Sequence, residues 1–230
     1  MWLSALLFGL LTSSLSAADP YLSLSLEINY SALGFATMMK PSDDNMATFP
    51  DGYEEIRKEA IEVLLEDARW IFSGMLYGFN FRYIPGNSVE GFDELFELDP
   101  VHQIERGDPA LEVYQVDDDY QNMRILFYFW PDEFQNRRMS ISRGGGYQTA
   151  ASEGGIPMML EDARLSSMEE AVKQALRADL RSLIYNRPLE VGGIVYLSSS
   201  PRIRIWAGEY KSSLRILYKR EELKTFPLNY

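Results

Sequence analysis

The chain contains no cysteine, and this absence removes several chemistries at once. Without cysteine there can be no disulfide, no thiolate nucleophile, no zinc–thiolate site and no lipid-modified N-terminal cysteine. Histidine is almost as scarce, since His102 is the single one. A Ser–His–Asp triad or a histidine-led metal site would have to use it. It stands in DPVHQIERGDP between turn-forming pairs, and the chain has no G-x-S-x-G motif, so we predict a surface-loop histidine.

Two other stretches resemble ligand sites but lack the defining spacing. The carboxylates of Asp117–Asp119 could offer oxygen ligands to calcium, but the glycine and the glutamate of an EF-hand loop are missing, so we predict a charged hairpin tip. Arg143–Gly146 fits neither the G-x-x-x-x-G-K-[ST] nor the G-x-G-x-x-G pattern of a phosphate-binding loop. The sequence therefore assigns no catalytic residue, no metal site and no cofactor.

Positive charge is scarce in the first half of the chain. Residues 1–123 carry 6 Lys and Arg against 22 Asp and Glu, whereas residues 124–230 carry 16 against 12. The formal net charge of -12 argues against nucleic acid as a partner, because nucleic-acid binding depends on positive charge. The lopsided distribution indicates either an oriented partner or two halves that neutralise each other.

The chain also lacks an apolar run long enough for a transmembrane helix. Trp2–Leu11 is apolar but falls well short of the roughly 20 residues that span a bilayer. Small residues follow it, as in a secretory signal peptide, although no Lys or Arg precedes it. We predict a signal peptide over residues 1–18, cleaved between Ala18 and Asp19, and export to a bacterial periplasm. The alternative is a buried N-terminal helix.

Several stretches alternate apolar and polar residues, which is typical of strands. Tyr21–Tyr30 has this two-residue period. Leu111–Val116 and Met123–Trp130 are predicted to form a hairpin, and we place the second strand centrally because it is apolar on nearly both faces. Further strands are predicted at Tyr77–Tyr83, Val191–Leu197, Arg202–Trp206 and Leu214–Tyr218.

Other stretches have helical spacing. The first predicted helix starts with a capping box of Asp51 and Glu54, and its apolar stripe is Ile56, Ala60, Leu64, Ala68 and Ile71. The second starts at Ser166 or Ser167, and its apolar stripe is Val172, Leu176, Leu180 and Leu183. A short helix is predicted at Phe92–Leu98.

These elements predict an α+β fold, with a largely antiparallel sheet and two main helices packed on it. We expect one domain over residues 19–230. The glycine-rich residues 143–157 are interpreted as a flexible linker, and the order of elements raises the hypothesis of two similar helix-plus-three-strand halves, residues 19–142 and 158–230. A small outer-membrane β-barrel is the rival fold, but two strong amphipathic helices and Pro227 argue against it.

The last hairpin is the most specific local feature. Residues 201–225 carry 7 basic and 3 acidic side chains. If its two strands present the same face, that face holds a basic stripe beside an exposed tryptophan, formed by Arg202, Arg204, Trp206, Arg215 and Lys219. An anionic ligand or the acidic surface of another envelope protein could dock there. The alternative is a solvated face, or a face neutralised by the acidic first half.

We therefore predict an exported, non-enzymatic binding or envelope-accessory protein, because no catalytic constellation is visible. The alternative function is a periplasmic hydrolase that works through Asp and Glu carboxylates. A deep cleft with two convergent carboxylates, one of them buried, would favour the hydrolase. An exposed basic stripe on a shallow surface would favour binding.

Overall fold

The computed structural model describes residues 21–34, 52–86, 93–184 and 189–225. The predicted signal peptide and the capping residue Asp51 lie outside these described residues. The helices are α1 (Tyr53–Leu76), α2 (Glu133–Arg143) and α3 (Ala163–Ile184). The strands are β1 (Leu22–Asn29), β2 (Phe79–Ile84), β3 (Leu95–Pro100), β4 (Leu111–Asp118), β5 (Asn122–Phe129), β6 (Gln148–Pro157), β7 (Leu189–Leu197), β8 (Arg202–Trp206) and β9 (Glu209–Thr225).

The strands form two antiparallel sheets, which confirms the predicted α+β fold. The smaller sheet has the order β1-β5-β4, so β5 is central, as its apolar sequence indicated. The larger sheet has the order β3-β2-β7-β9-β6, and β8 pairs with β9 beside the end of β7. The larger sheet joins β2 and β3, which precede residues 143–157, to strands that follow them.

Helix α1 lies between the two sheets because its wide apolar stripe needs cover on more than one side. All five predicted stripe positions are buried. The Phe72 ring lies 5.5 Å from that of Phe129 in the smaller sheet, and the Trp70 ring lies 4.6 Å from that of Phe79 in the larger sheet. Helix α3 packs on β6 and β9. Across the described ranges, no helix combines the length and the apolar composition that a membrane span requires.

The prediction of a flexible linker over residues 143–157 is wrong, because residues 148–157 form strand β6. This strand pairs with β9 along its whole length. Its small residues have a packing cause: a Cβ added to Gly154 would lie 2.3 Å from the backbone nitrogen of Ala171 in α3. The helix thus approaches the strand so closely that a side chain has no room, and this close approach explains the glycine.

Two further predictions about local structure are corrected. The short helix predicted at Phe92–Leu98 is wrong, because residues 95–100 form β3, which places Phe96 opposite Tyr83 and Leu98 opposite Phe81. Helix α3 begins at Ala163, before the predicted serine caps. Its predicted positions Val172, Leu176 and Leu180 are buried.

Helix α2 was not predicted. It is short and polar, but a capping box defines its start: the Asp132 carboxylate accepts the backbone N–H of Gln135, whose side chain accepts the backbone N–H of Asp132. The sequence D-E-F-Q carries this signal.

Among the residues that the structure describes, four buried tyrosines donate their hydroxyls to carboxylates around the core. Tyr30 and Tyr53 both donate to Asp118 at 2.8 Å. Tyr83 donates to Glu94 at 2.8 Å, and Tyr218 donates to Asp179. Burial and the neighbouring carboxylates raise the pKa of all four phenols well above the usual value. These hydroxyls therefore act as neutral donors that link helices and strands to the carboxylates.

Candidate functional site

The residues of the predicted basic stripe lie on the outer face of the larger sheet, opposite the helices. Strand β8 pairs with β9 so that Arg202 is opposite Ser213 and Trp206 is opposite Glu209. Because side chains alternate along a strand, Arg215 and Lys219 lie on the same face as Ser213. We call this set the basic face: Arg202, Arg204, Trp206, Arg215 and Lys219. Each of its members is exposed, and Trp206 is 65% exposed.

One cation of the basic face is neutralised inside the chain. Arg204 Nη2 lies 2.7 Å from a carboxylate oxygen of Glu153 on β6, and the Ser213 hydroxyl donates to the same oxygen. The Ser213 hydrogen bond and the Arg204 charge hold the pKa of Glu153 below its usual value. This neutralising residue belongs to the second half of the chain, not to the acidic first half. Within the described ranges, Arg202, Arg215 and Lys219 form no ion pair.

A cleft that the sequence did not reveal opens between α1, the start of α3 and the 3₁₀ turn Tyr30–Leu33. Its volume is about 520 Å³. Apolar side chains and carboxylates both line it. The lining side chains with formal charge are Glu59, Glu62, Glu66, Asp67, Arg106, Asp162 and Arg164.

A buried ion pair forms one wall of this cleft and ties α1 to α3. The Arg164 Nε of α3 donates to the Asp67 carboxylate of α1, and both side chains are more than nine-tenths buried. The Tyr210 ring lies 5.8 Å from the Arg164 Cζ. The Arg164 Nη2 is buried without a hydrogen-bond partner among the described residues. Burial raises the pKa of the Asp67 carboxyl, and the Arg164 guanidinium opposes that rise.

The pair connects the two copies of LEDAR in the sequence. Asp67 belongs to residues 65–69 and Arg164 to residues 160–164. Each copy supplies one partner, although one copy lies late in α1 and the other spans the start of α3. A repeated motif does not by itself predict a contact between its copies, so only tertiary structure shows that these two residues meet.

The single histidine and the three consecutive aspartates take the positions expected from the sequence. His102 is exposed in a loop, and its ring lies 4.6 Å from that of Tyr77. Residues 117–119 lead into the turn between β4 and β5, where the Asp119 carboxylate accepts the backbone N–H groups of Gln121 and Asn122. The Asn122 backbone N–H holds the pKa of Asp119 below its usual value. No group of three metal-ligating side chains occurs in the described ranges.

A model of an uncharacterised protein family matches residues 14–226. The chain belongs to this family. It is similar to an uncharacterised protein of Treponema pallidum (strain Nichols), at 26% identity over 164 residues that cover 71% of this chain and 69% of that protein. No solved structure matches the chain.

Proposed function

We propose that this protein is exported to the periplasm, with residues 1–18 as its cleaved signal peptide, and acts there as a non-enzymatic binding or envelope-accessory module. The basic face is its binding surface. An anionic ligand or an acidic protein surface is the class of partner that this face would bind. The exposed cations that form no ion pair with any residue that the structure describes are the observation that carries this proposal.

Charge and exposure support the proposal together. Arg202, Arg215 and Lys219 lie exposed on a chain whose formal net charge is -12. Local positive charge in an acidic protein directs an anionic partner to that charge. It also disfavours binding of that partner to most of the remaining surface. Trp206 adds a large exposed ring at the edge of the same face, and arginine and tryptophan are enriched where binding energy is concentrated.

Replacing the three arginines tests the proposal. Arg202→Ser, Arg204→Ser and Arg215→Ser in one chain should abolish the retention of native envelope partners in a pull-down. The fold should remain intact, because the three side chains are exposed. Retention by the unchanged protein should also weaken as salt is raised, because salt screens surface charges beyond about 8 Å at physiological ionic strength.

The matched control removes three exposed arginines elsewhere: Arg137→Ser, Arg143→Ser and Arg181→Ser. These residues lie on α2 and α3. The control chain should retain its partners as the unchanged chain does. Equal retention by both triple variants would show that the basic face does not bind.

Export has its own test. The apolar stretch Trp2–Leu11 and the small residues before Asp19 support a cleaved signal peptide. Intact-mass analysis of the natural product should give a chain that begins at Asp19. A chain recovered from the cytosol that still begins at Met1 would contradict export.

The cleft gives a second candidate function, hydrolysis by carboxylates. Asp67 is buried with a raised pKa, and Glu62 and Glu66 line the same cavity, an arrangement that glycoside hydrolysis can use. The contact between Asp67 and Arg164 favours a structural role for this carboxylate over a role in proton transfer. A screen with chromogenic glycosides tests this function: turnover that Glu62→Gln abolishes, with the fold unchanged, would support it, and no turnover by the unchanged protein would count against it.

A further inference from the structure

Strand β4 is an edge strand, and it has exposed apolar residues on both faces of the sheet. It ends the order β1-β5-β4, so one row of its backbone groups faces away from the smaller sheet. Tyr114 is 58% exposed, and Val113 and Val116 are also exposed. The pairing of β4 with β5 shifts its register between Val113 and Gln115, so the regular part of this outer edge is Gln115–Asp118. An exposed edge strand of this kind is a template for pairing with a further strand.

Strand β8 is a second free edge, on the larger sheet. It pairs with β9, and within the described ranges no other strand pairs with it. Ile205 is 43% exposed, and Trp206 is exposed beside it. The strand is therefore able to add to another sheet through its outer row of backbone groups.

The two edges carry opposite charge. Residues 111–119 of β4 and its turn contain Glu112 and three consecutive aspartates but no basic residue. The Glu112 carboxylate accepts the indole N–H of Trp130 at 3.2 Å, and among the described residues it forms no ion pair. Strand β8 contains Arg202 and Arg204 but no acidic residue.

We propose that β8 of one copy of this protein adds as an antiparallel strand to β4 of a second copy. This inference rests on the proposed function, because it names a second copy of the chain as the partner of the basic face. A register that places Arg202 opposite Asp117 also places Ile203 opposite Val116. Opposite charges then meet on one side of the joined sheet and apolar side chains meet on the other.

The contact is heterologous, since it joins two different surfaces of the same chain. After the first contact, the copy that supplied β8 retains its free β4 edge and the other copy retains its free β8 edge, so assembly proceeds head to tail. The internal ion pair of Arg204 with Glu153 is compatible with this arrangement, because Arg202 supplies the intermolecular charge.

Charge reversal tests the inference with purified protein in analytical ultracentrifugation, at concentrations up to roughly 100 μM. The unchanged protein should increase in mean mass with concentration and return to monomer at high salt. Arg202→Glu and Asp117→Lys should each weaken the association by about tenfold or more, because each sets like charges opposite one another. The exposed control Arg137→Glu should associate as the unchanged protein does.

Recombining the two reversals identifies the pairing. Arg202→Glu and Asp117→Lys variants mixed in equal amounts should associate, and so should one chain that carries both changes. An unchanged protein that stays monomeric at every concentration, or reversed charges that do not restore association, would overturn the inference. The two proposals can fail separately. If the unchanged protein is monomeric while the triple-serine variant loses its native partners, the proposed self-association is wrong and the proposed binding function stands. If that variant keeps its partners, the binding function is wrong.

Discussion

The larger sheet has two faces, and each is linked to an arginine–carboxylate pair with a different physical role. On the inner side, Arg164 and Asp67 meet where almost no solvent reaches. On the outer face, Arg204 and Glu153 meet in solvent, with 61% and 37% of their side-chain surfaces exposed. The same two chemical groups therefore contribute to the stability of the fold in one place and to the charge of a surface in the other.

Solvent makes this difference. Removing one partner of a buried pair leaves an uncompensated charge that water cannot reach, whereas an exposed pair contributes little because water replaces it. The outer face can thus change its charges without unfolding the protein, which is a property that a binding surface needs. The inner side cannot lose one of its charges in this way, because the remaining charge would be buried without a partner.

The largest expected effect comes from breaking the buried pair. Asp67→Ala should lower the free energy of unfolding by about 3–5 kcal/mol, because Arg164 would remain charged without a partner. Denaturant titration measures the loss. The matched change Glu153→Ala on the outer face should leave the denaturation midpoint unchanged within experimental error.

A second variant separates charge from packing at the same site. The apolar double substitution Asp67→Leu with Arg164→Met should recover most of the lost stability, because neither charge is then buried. Equal losses from Asp67→Ala and Glu153→Ala would contradict the distinction between the two faces.

Two neighbouring glycines on β6 also distinguish the inner side of the larger sheet from its outer face. Gly154→Ala should destabilise the protein by about 1–3 kcal/mol, because the added methyl group meets the backbone of α3. Gly155 faces outward, and a Cβ there would meet the flexible Glu209 carboxylate at 3.0 Å. Gly155→Ala should therefore cost less, as thermal unfolding will show. A larger loss from Gly155→Ala would mean that α3 does not press on β6 as described.

The buried tyrosines predict a loss of stability at high pH. The folded-state pKa of Tyr30, Tyr53, Tyr83 and Tyr218 is raised, so each contributes stability that is present below about pH 10 and lost as the unfolded chain ionises above it. In Tyr218→Phe, the dependence of unfolding free energy on pH above 10 should decrease by about one proton. Denaturant titrations between neutral pH and pH 11 measure it.

Asp179→Asn provides the control for this experiment. Burial is the largest cause of the raised pKa of Tyr218, so removing the Asp179 charge should preserve most of the pH dependence. An unchanged slope in Tyr218→Phe would show that this phenol ionises as readily in the folded protein as in the unfolded chain.

The spacing of apolar residues predicted much of the fold, because a helix or strand that is buried on one side has apolar residues at regular intervals in its sequence. The alternation in β1 and the helical spacing in α1 both match buried positions. Strand β6 was not predicted because its buried face lacks this apolar pattern. Helix α3 packs so closely on the strand that Gly154 stands where an apolar residue would complete the alternation. Helix α2 could have been found from the capping box of Asp132 and Gln135.

The candidate surfaces were predictable to different degrees. The basic face lies on adjacent strands joined by a short hairpin, so local sequence predicted its residues, and the register confirms that they share a face. The cleft depends on Asp67 and Arg164, which are 97 residues apart. No local pattern encodes that distance, and so the buried pair emerged from tertiary structure alone.

Cross-linking in the native envelope tests the central claim, that the outer basic face is the binding surface. A photo-crosslinking residue should replace Trp206 in one strain and Phe134, which is equally exposed at 65%, in another. We expect discrete cross-linked species from position 206 and none from position 134. Equal cross-linking from both positions, or cross-linking from position 134 alone, would show that the basic face is not the binding surface.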